Sequence, residues 1–189
     1  MSRIGIDVDG VLRDFCGDLE TIIKKEFPQY IPEGVTDFKI NDWKISNCVS
    51  CSKEDVQQIY WYTHCDKIMA NGNPMYGAIK KMYDLFDWGE KNGHTFVCIT
   101  SQKPHARYHT LSWLGKYGLN FDTVYFRKGR DKWKVNVDYL VDVRPNNHKA
   151  WVYVSGLEDG FILMDAVYNQ HINSSYRIKS LDEVQNIII

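Results

Sequence analysis

Short apolar runs alternate along this chain with longer stretches in which apolar residues recur at helical spacing. Residues 3–8 (Arg-Ile-Gly-Ile-Asp-Val) predict a buried strand, and residues 11–26 predict a helix with one apolar stripe. The same alternation resumes after residue 73. Further strands are predicted at 94–100, 122–126, 139–142 and 161–164, and further helices at 74–92 and 104–117. This order predicts an α/β fold, with a parallel sheet between two layers of helices.

Residues 27–73 interrupt the alternation. Prolines, glycines and tryptophans break up the periodic pattern there, and only one short helix is predicted, at about residues 53–62. We interpret this segment as a small, mainly helical cap inserted after the first helix. The core domain is then expected to comprise residues 1–26 and 74–189.

Composition and charge narrow the class of protein. The chain has 189 residues, 44% of them hydrophobic and 25% charged, which is typical of one globular domain with a modest insertion. A formal net charge of −1 gives no overall attraction to nucleic acid or anionic membranes, so we expect no stable nucleic-acid complex. Neither a signal-like leader nor an apolar run long enough to span a bilayer is apparent, so we expect a cytoplasmic location without membrane association.

Polar residues end three of the predicted strands. Asp7 and Asp9 follow the first strand, Thr100 and Ser101 the second, and Asp142 the strand at 139–142. Because ligands of open parallel sheets bind at the carboxyl ends of the strands, we expect these side chains to meet at one site.

The stretch Asp7-Val8-Asp9-Gly10 is the most informative. Residues two apart in an extended chain face the same side, so both carboxylates can address one ligand, and the glycine permits a sharp turn. This arrangement suits a nucleophile and an acid/base group. A solvated acidic turn and a calcium loop are simpler alternatives, although calcium loops need further oxygen ligands at fixed spacing and do not follow a buried strand.

The other candidate residues are individually ambiguous. Thr100 and Ser101 suit either a helix N-cap or a phosphate cradle. Lys132 taken alone is typical of an exposed loop lysine. Asp142 follows three apolar residues, where a carboxylate is costly unless it is paired or binds a cation, so metal binding is the natural explanation.

In this order the residues resemble the haloacid dehalogenase (HAD) superfamily of phosphatases over nearly the whole chain. Asp-Val-Asp-Gly-Val at 7–11 resembles its first motif, Thr100-Ser101 the second, Lys132 the third and Asp142 the fourth. The resemblance implies a three-layer, Rossmann-like parallel sheet carrying a cap.

Within that superfamily the chain is similar to the 5'(3')-deoxyribonucleotidases. Arg-Asp-Lys at 130–132, Asp138 and Leu-Val-Asp-Val-Arg-Pro at 140–145 follow that family's spacing. Two positions depart from that family. Gln102 replaces a proline. Val143 replaces a second aspartate, so Asp142 must hold a cation with fewer carboxylate ligands beside it unless Asp138 contributes.

The resemblance implies Mg²⁺-dependent hydrolysis of a phosphomonoester. Mg²⁺ is expected on the Asp7 carboxylate, the Asp9 backbone carbonyl and Asp142, with a phosphate oxygen and waters completing the oxygen ligands. Asp7 is implied as a nucleophile that forms an aspartyl-phosphate, and Asp9 as the acid and base. Thr100 and Lys132 are implied to bind the phosphate oxygens.

The resemblance also suggests a base pocket. Phe15, Trp61 and, more weakly, Trp43 match aromatic residues that line this pocket in deoxyribonucleotidases, and Ser101 is a further substrate-binding candidate. Phe15 and Trp61 are equally compatible with the hydrophobic core.

The cap segment also contains Cys48, Cys51, His64 and Cys65, four residues of the types that bind structural zinc. The adjacent positions of His64 and Cys65 make that set awkward, and reduced, unligated thiols are the simpler interpretation.

Three functions remain open from the sequence. The first is dephosphorylation of small molecules of the (deoxy)nucleoside monophosphate class. The second is the same chemistry on another phosphoester or on a nucleic-acid 3'-phosphate. The third is a non-catalytic binding protein that keeps the fold.

Overall fold

The structure is a computed structural model that describes residues 1–156 and 158–188. Within these ranges one sheet runs through the molecule in the order β3-β2-β1-β4-β5-β6, and all adjacent strands are parallel. The strands are β1 (Arg3–Ile6), β2 (Thr95–Thr100), β3 (Val124–Phe126), β4 (Tyr139–Asp142), β5 (Phe161–Met164) and β6 (Tyr176–Ile178). The predicted α/β fold with a parallel sheet is confirmed.

Helices surround this sheet. The α-helices are α1 (Phe15–Glu26), α2 (Lys53–Gln58), α3 (Cys65–Met69), α4 (Ala78–Asn92), α5 (Arg107–Lys116) and α6 (Pro145–Ser155). A π-helix, Ile59–Thr63, continues directly from α2. No helix in the two described ranges is both long and apolar enough to cross a membrane.

Alternating residues of the strands build a hydrophobic core on each face of the sheet. In β2, Phe96 and Cys98 join the cluster that contains α4, whereas Val97 and Ile99 face the opposite cluster, which contains Trp151 of α6. Strands buried on both faces are expected in a parallel sheet covered by helices.

The order of the strands places a crevice beside β1. From β1 the chain adds β2 and then β3 on one side, and it returns to add β4, β5 and β6 on the other. The carboxyl ends of β1, β2 and β4 therefore lie next to one another at the point where the strand order reverses.

The first helix begins later than predicted. Residues 9–14 form a tight loop instead, in which Gly10 has φ +83° and the amides of Leu12 and Arg13 donate to the Val8 carbonyl. Asp14 then caps α1 by accepting a hydrogen bond from the Gly17 amide. This loop turns the chain sharply away from the end of β1.

The helix predicted at 74–92 begins only at Ala78, so its predicted start is wrong. Residues 73–75 pair instead with residues 12–14: the Asp14 amide donates to the Asn73 carbonyl, and the Met75 amide donates to the Leu12 carbonyl. These tertiary hydrogen bonds hold Pro74 in extended backbone, and they outweigh its local preference for the first helical turn.

Residues 27–73 pack mainly against α1. Buried side chains of α1, including Leu19 and Ile23, form a separate hydrophobic cluster with Phe38, Val56 and Ile68. The segment is thereby placed over the carboxyl end of the sheet, where its aromatic residues meet the residues that follow β1 and β2.

Candidate functional site

Asp7 lies at the base of the crevice, immediately after β1. One of its carboxylate oxygens, Oδ1, accepts a hydrogen bond from the Val8 amide at 2.8 Å. The other, Oδ2, lies 2.7 Å from Lys132 Nζ. Burial raises the pKa of Asp7 from its usual 3.8 to about 7, because the nearby Lys132 ammonium offsets only part of the cost of desolvating the carboxylate.

Lys132 is fully buried, so its interpretation as an exposed loop lysine is wrong. Its ammonium bridges Asp7 and Asp142, at 2.7 Å from an Oδ2 atom of each. Burial opposes the charge of Lys132, but the Asp142 and Asp7 carboxylates outweigh it and raise the pKa of the ammonium. A lysine this deeply buried requires such partners, and it brings a positive charge to the base of the crevice.

Asp142 ends β4 and is completely buried. Besides Lys132, its carboxylate accepts hydrogen bonds from the Arg144 amide at 2.8 Å and from Asn147 Nδ2 at 2.7 Å. These donors orient the side chain toward Asp7.

Neither Val143 nor Asp138 supports a metal site at Asp142. Val143 packs in the hydrophobic core, beneath Gly10. Asp138 lies at the opposite end of β4, where it accepts a hydrogen bond from the Arg3 amide, so a contribution of Asp138 to a metal site is ruled out. Asn147, which the sequence did not suggest, is the residue that supports Asp142.

Asp9 is held in one orientation by two side chains that sequence analysis did not connect with it. Arg13, which is fully buried, donates from Nε to Asp9 Oδ1 at 2.9 Å. Gln102 donates from Nε2 to Asp9 Oδ2 at 2.7 Å. Gln102, which stands where the deoxyribonucleotidases have a proline, therefore donates a hydrogen bond to Asp9, the candidate acid/base group.

Thr100 and Ser101 lie at the end of β2, and their hydroxyls have no hydrogen-bond partner within the described part of the chain. The same holds for Gln102 Oε1, Arg144 Nε and Asn147 Oδ1. Buried polar groups are normally satisfied, so this concentration of unsatisfied groups around Asp7 indicates the binding position of a polar ligand.

A cavity of about 680 Å³ opens above Asp7 and Lys132. It is lined by Asp9, Thr100 and Ser101 at its base and by Phe15, Trp43 and Trp61 on its walls. Asp142 is fully buried against Lys132 and is not part of the cavity lining. Phe15 meets Tyr60 edge to face, with ring centroids 5.3 Å apart. The aromatic residues predicted for a base pocket thus line one cavity with the candidate catalytic groups, although they also pack against hydrophobic neighbours.

Further residues of this cavity were not predicted. Arg144 lies over the ring of Trp43, 4.9 Å from its centroid, and Tyr168 meets Trp43 edge to face. Arg144 belongs to the stretch that resembles the deoxyribonucleotidases, so the motif offered a signal for it. Tyr168 follows β5 and lies far from every motif, so no sequence signal indicated it.

The structure provides no support for zinc binding by the cap segment. Across residues 1–156 and 158–188, no group of three or more His, Cys, Asp or Glu side chains is placed to hold a metal. His64 Nε2 lies 3.3 Å from a carboxylate oxygen of Glu26 instead.

The donor set around Asp7 suits magnesium. Carboxylate and carbonyl oxygens are the ligands that Mg²⁺ prefers, and it keeps waters in its remaining positions, so two carboxylate side chains and a backbone carbonyl are enough. Asp7 and Asp142 supply such carboxylates, while Asp9 directs its side chain to Arg13 and Gln102 and has only its carbonyl to offer. The raised pKa of Asp7 is consistent with a need for further positive charge beside it.

Comparisons with solved structures show the same fold. The chain is similar to YfnB, a Bacillus subtilis protein assigned to the HAD-hydrolases and crystallised with magnesium (15% identity, TM-score 0.54, 98% of this chain and 97% of that chain covered). It is also similar to L-2-haloacid dehalogenase from Xanthobacter autotrophicus with chloropropionic acid covalently bound (9% identity, TM-score 0.56, 99% and 98% covered).

Two comparisons of the sequence bear on the family of this chain. No curated protein matches the chain. A family model described as "5' nucleotidase, deoxy (Pyrimidine), cytosolic type C protein" matches residues 1–189, the whole chain. The enzyme is thus a phosphatase of the HAD superfamily. The chain belongs to the 5' nucleotidase, deoxy (pyrimidine), cytosolic type C family.

Proposed function

We propose that this phosphatase removes phosphate from (deoxy)nucleoside monophosphates, with Mg²⁺ as cofactor and a phosphorylated Asp7 as intermediate. The observation that carries the proposal is the set of unsatisfied polar groups around Asp7 and Lys132, at the base of an aromatic cavity. A phosphate group can accept hydrogen bonds from the donors in this set, which are the Thr100 and Ser101 hydroxyls and Arg144 Nε, and the aromatic walls suit a base. The family description, which names a deoxy pyrimidine nucleotidase, supports the same substrate class.

Each step of the reaction has a group in place. The Asp7 carboxylate attacks phosphorus, while Lys132 and the hydroxyls of Thr100 and Ser101 bind the phosphate oxygens. Asp9, oriented by Arg13 and Gln102, gives a proton to the leaving alcohol and then takes one from the water that hydrolyses the aspartyl-phosphate.

Asp7, the Asp9 carbonyl and Asp142 would hold Mg²⁺, which would supply positive charge to balance the negative charge of the phosphate beside the carboxylates. The magnesium-bound structure with this fold supports the choice of metal, and the covalently modified dehalogenase supports a covalent intermediate.

We further propose that residues 27–73 act as a cap that selects the leaving group, over a core formed by residues 1–26 and 74–189. Trp43, Tyr60 and Trp61 of this segment face the cavity. The groups proposed to bind phosphate belong to the core: Thr100 and Ser101 at the end of β2, and Lys132 in the 3-10 turn between β3 and β4. A cytoplasmic location is proposed from the family's description as cytosolic.

The nucleophile is tested by Asp7→Asn, which we expect to reduce hydrolysis of a generic phosphoester in Mg²⁺ to below about a thousandth of the wild-type rate. The amide cannot attack phosphorus, and it needs no compensation for a buried charge, so Tm should change little. Asp87→Asn, in an exposed position of α4, is the matched control and should retain full activity. Unchanged turnover by Asp7→Asn would refute the assignment.

The substrate class is tested with a panel of phosphate esters. We expect the highest kcat/KM on deoxynucleoside monophosphates, because their base, which sugar phosphates lack, places a flat ring between the aromatic walls. Equal kcat/KM values for sugar phosphates would contradict the base pocket and leave the phosphatase chemistry intact.

A further inference from the structure

A second, more open groove adjoins the active-site cavity. Its volume is about 1010 Å³, and it shares Trp61, Ser101 and Arg144 with the cavity above Asp7. The groove therefore begins at residues that also border the space above Asp7.

The groove is strongly basic. Besides Trp61 of the π-helix, three chain segments line it: the loop after β2 with the start of α5, the loop after β3, and the start of α6. They place six cationic residues along it: Lys103, Arg107, Arg127, Lys128, Arg130 and Arg144.

None of these six cations has a carboxylate partner within 4.0 Å in the part of the chain that the structure describes. Asp131 also lines the groove, but its carboxylate pairs with Lys134, 2.8 Å away. The formal net charge of −1 for the whole chain therefore does not reflect the local excess of positive charge in the groove.

Aromatic rings accompany the cations. The ring of Trp61 lies 5.7 Å from Lys103 Nζ, and the ring of Phe126 lies 5.3 Å from the guanidinium carbon of Arg107. Cationic grooves with interspersed aromatic rings are the arrangement by which proteins hold single-stranded nucleic acid, because the cations follow the phosphates and the rings stack on bases.

We propose, on the basis of the proposed function, that this groove binds the backbone of a short single-stranded oligonucleotide whose terminal phosphate occupies the cavity. The enzyme then removes terminal phosphates from oligonucleotides as well as from mononucleotides. Hydrolysis breaks the terminal P–O ester bond, and water supplies the oxygen for inorganic phosphate and the proton for the released hydroxyl. The bound oligonucleotide is a transient substrate, which is compatible with the near-neutral net charge.

Binding is tested first, in the absence of turnover. Fluorescent oligodeoxynucleotides of one to six residues, with a 5'- or a 3'-phosphate, are titrated against the full-length Asp7→Asn variant, and Kd is measured by anisotropy. We expect Kd to fall at least tenfold as the length increases from one residue to about four. We also expect log Kd to depend on log salt with a slope of about 0.7 for each phosphate that the groove neutralises.

A groove variant and a charge-matched control identify the site. In the same background, Arg127→Ala/Lys128→Ala/Arg130→Ala should abolish the gain in affinity with length. Lys24→Ala/Lys25→Ala/Lys91→Ala removes the same charge from exposed positions outside both cavities and should preserve the gain. The proposal is overturned if affinity does not increase with oligonucleotide length, or if both triple variants lose that increase equally.

Turnover separates this inference from the proposed function. With Asp7 intact, the groove variant should keep the wild-type kcat/KM for a mononucleotide and lose at least tenfold on a tetranucleotide with a terminal phosphate. If the wild-type enzyme hydrolyses mononucleotides but gains nothing from length, the groove inference alone fails. If it binds oligonucleotides but hydrolyses no nucleotide, the proposed function fails.

Discussion

The Thr100 side chain is completely buried, and its hydroxyl has no hydrogen-bond partner within residues 1–156 and 158–188. An unsatisfied buried hydroxyl costs about 1–3 kcal/mol. We therefore expect Thr100→Val, which keeps the shape of the side chain, to preserve or raise the free energy of unfolding. If the hydroxyl binds phosphate, the same change should lower kcat/KM by about 10–100-fold. Denaturant unfolding and steady-state kinetics measure the two effects.

Thr100→Ser is the matched control for this prediction, because it keeps the hydroxyl and removes only a methyl group. It should retain most of the activity and lose some stability. A fall in stability together with activity in Thr100→Val would mean that the hydroxyl has a structural partner instead.

Gln102 offers a second test, since its amide donates to the candidate acid/base Asp9. Gln102→Ala leaves Arg13 as the remaining side chain that orients Asp9, so we expect kcat to fall about tenfold while KM changes little. Gln58→Ala, an exposed change at the end of α2, should leave both constants unaltered. A rise in KM at constant kcat would instead assign Gln102 to substrate binding.

At this scale the sequence predicted residues that belong to linear motifs and missed those that act through tertiary contacts. Asp7 and Asp142 were identified because polar residues directly follow apolar strands. Arg13 was not, because its ion pair with Asp9 depends on the tight loop that replaces the predicted start of α1. Asn147 was missed because nothing in α6 distinguishes it from a surface asparagine.

At the scale of elements, the segment that carries the aromatic residues is unusual. Tyr60 and Trp61 lie in the π-helix that extends α2, and π-turns are frequent at functional sites. We expect Trp61→Ala to raise KM for deoxynucleoside monophosphates several-fold, because it removes one wall of the base pocket. KM for glycerol phosphate, which has no base, should not change.

Trp88→Ala is a suitable control for this prediction. Trp88 lies in α4, stacks on His94 and lines neither cavity, so its removal tests the general effect of losing a large ring. Equal increases in KM for nucleotides and glycerol phosphate in Trp61→Ala would assign Trp61 to the packing of the site.

Buried strands were the elements best predicted from the sequence, because long apolar runs leave few alternatives. β5 matches its predicted bounds, and β4 ends at the expected aspartate. β6 and α6 were missed: β6 is only three residues long, and α6, which begins at Pro145, has little amphipathic spacing. The start of α4 was misplaced because the pairing of residues 73–75 with residues 12–14 is invisible in a local pattern.

At the scale of the whole molecule, the site concentrates negative charge where the fold brings three strand ends together. In the described part of the chain, Lys132 and Arg13 are the cations that form ion pairs with Asp7, Asp9 and Asp142 before any phosphate arrives. A bound divalent cation should therefore stabilise the fold. At a concentration a hundred times its Kd, a ligand stabilises by about 2.7 kcal/mol, which corresponds to a rise in Tm of about 5–10 °C for a chain of this size.

We accordingly expect MgCl₂ to raise the Tm of the wild-type protein relative to KCl of equal ionic strength, and to have little effect on Asp142→Asn. Asp142→Asn also weakens the contact with Lys132, so its Tm without metal should be lower, and the decisive quantity is the increment caused by Mg²⁺. Asp138→Asn removes a carboxylate at the other end of the same strand and should keep the full increment. Equal increments in the Asp142→Asn variant and the wild type would place the cation elsewhere, because the fold brings only the carboxyl end of β4 to Asp7.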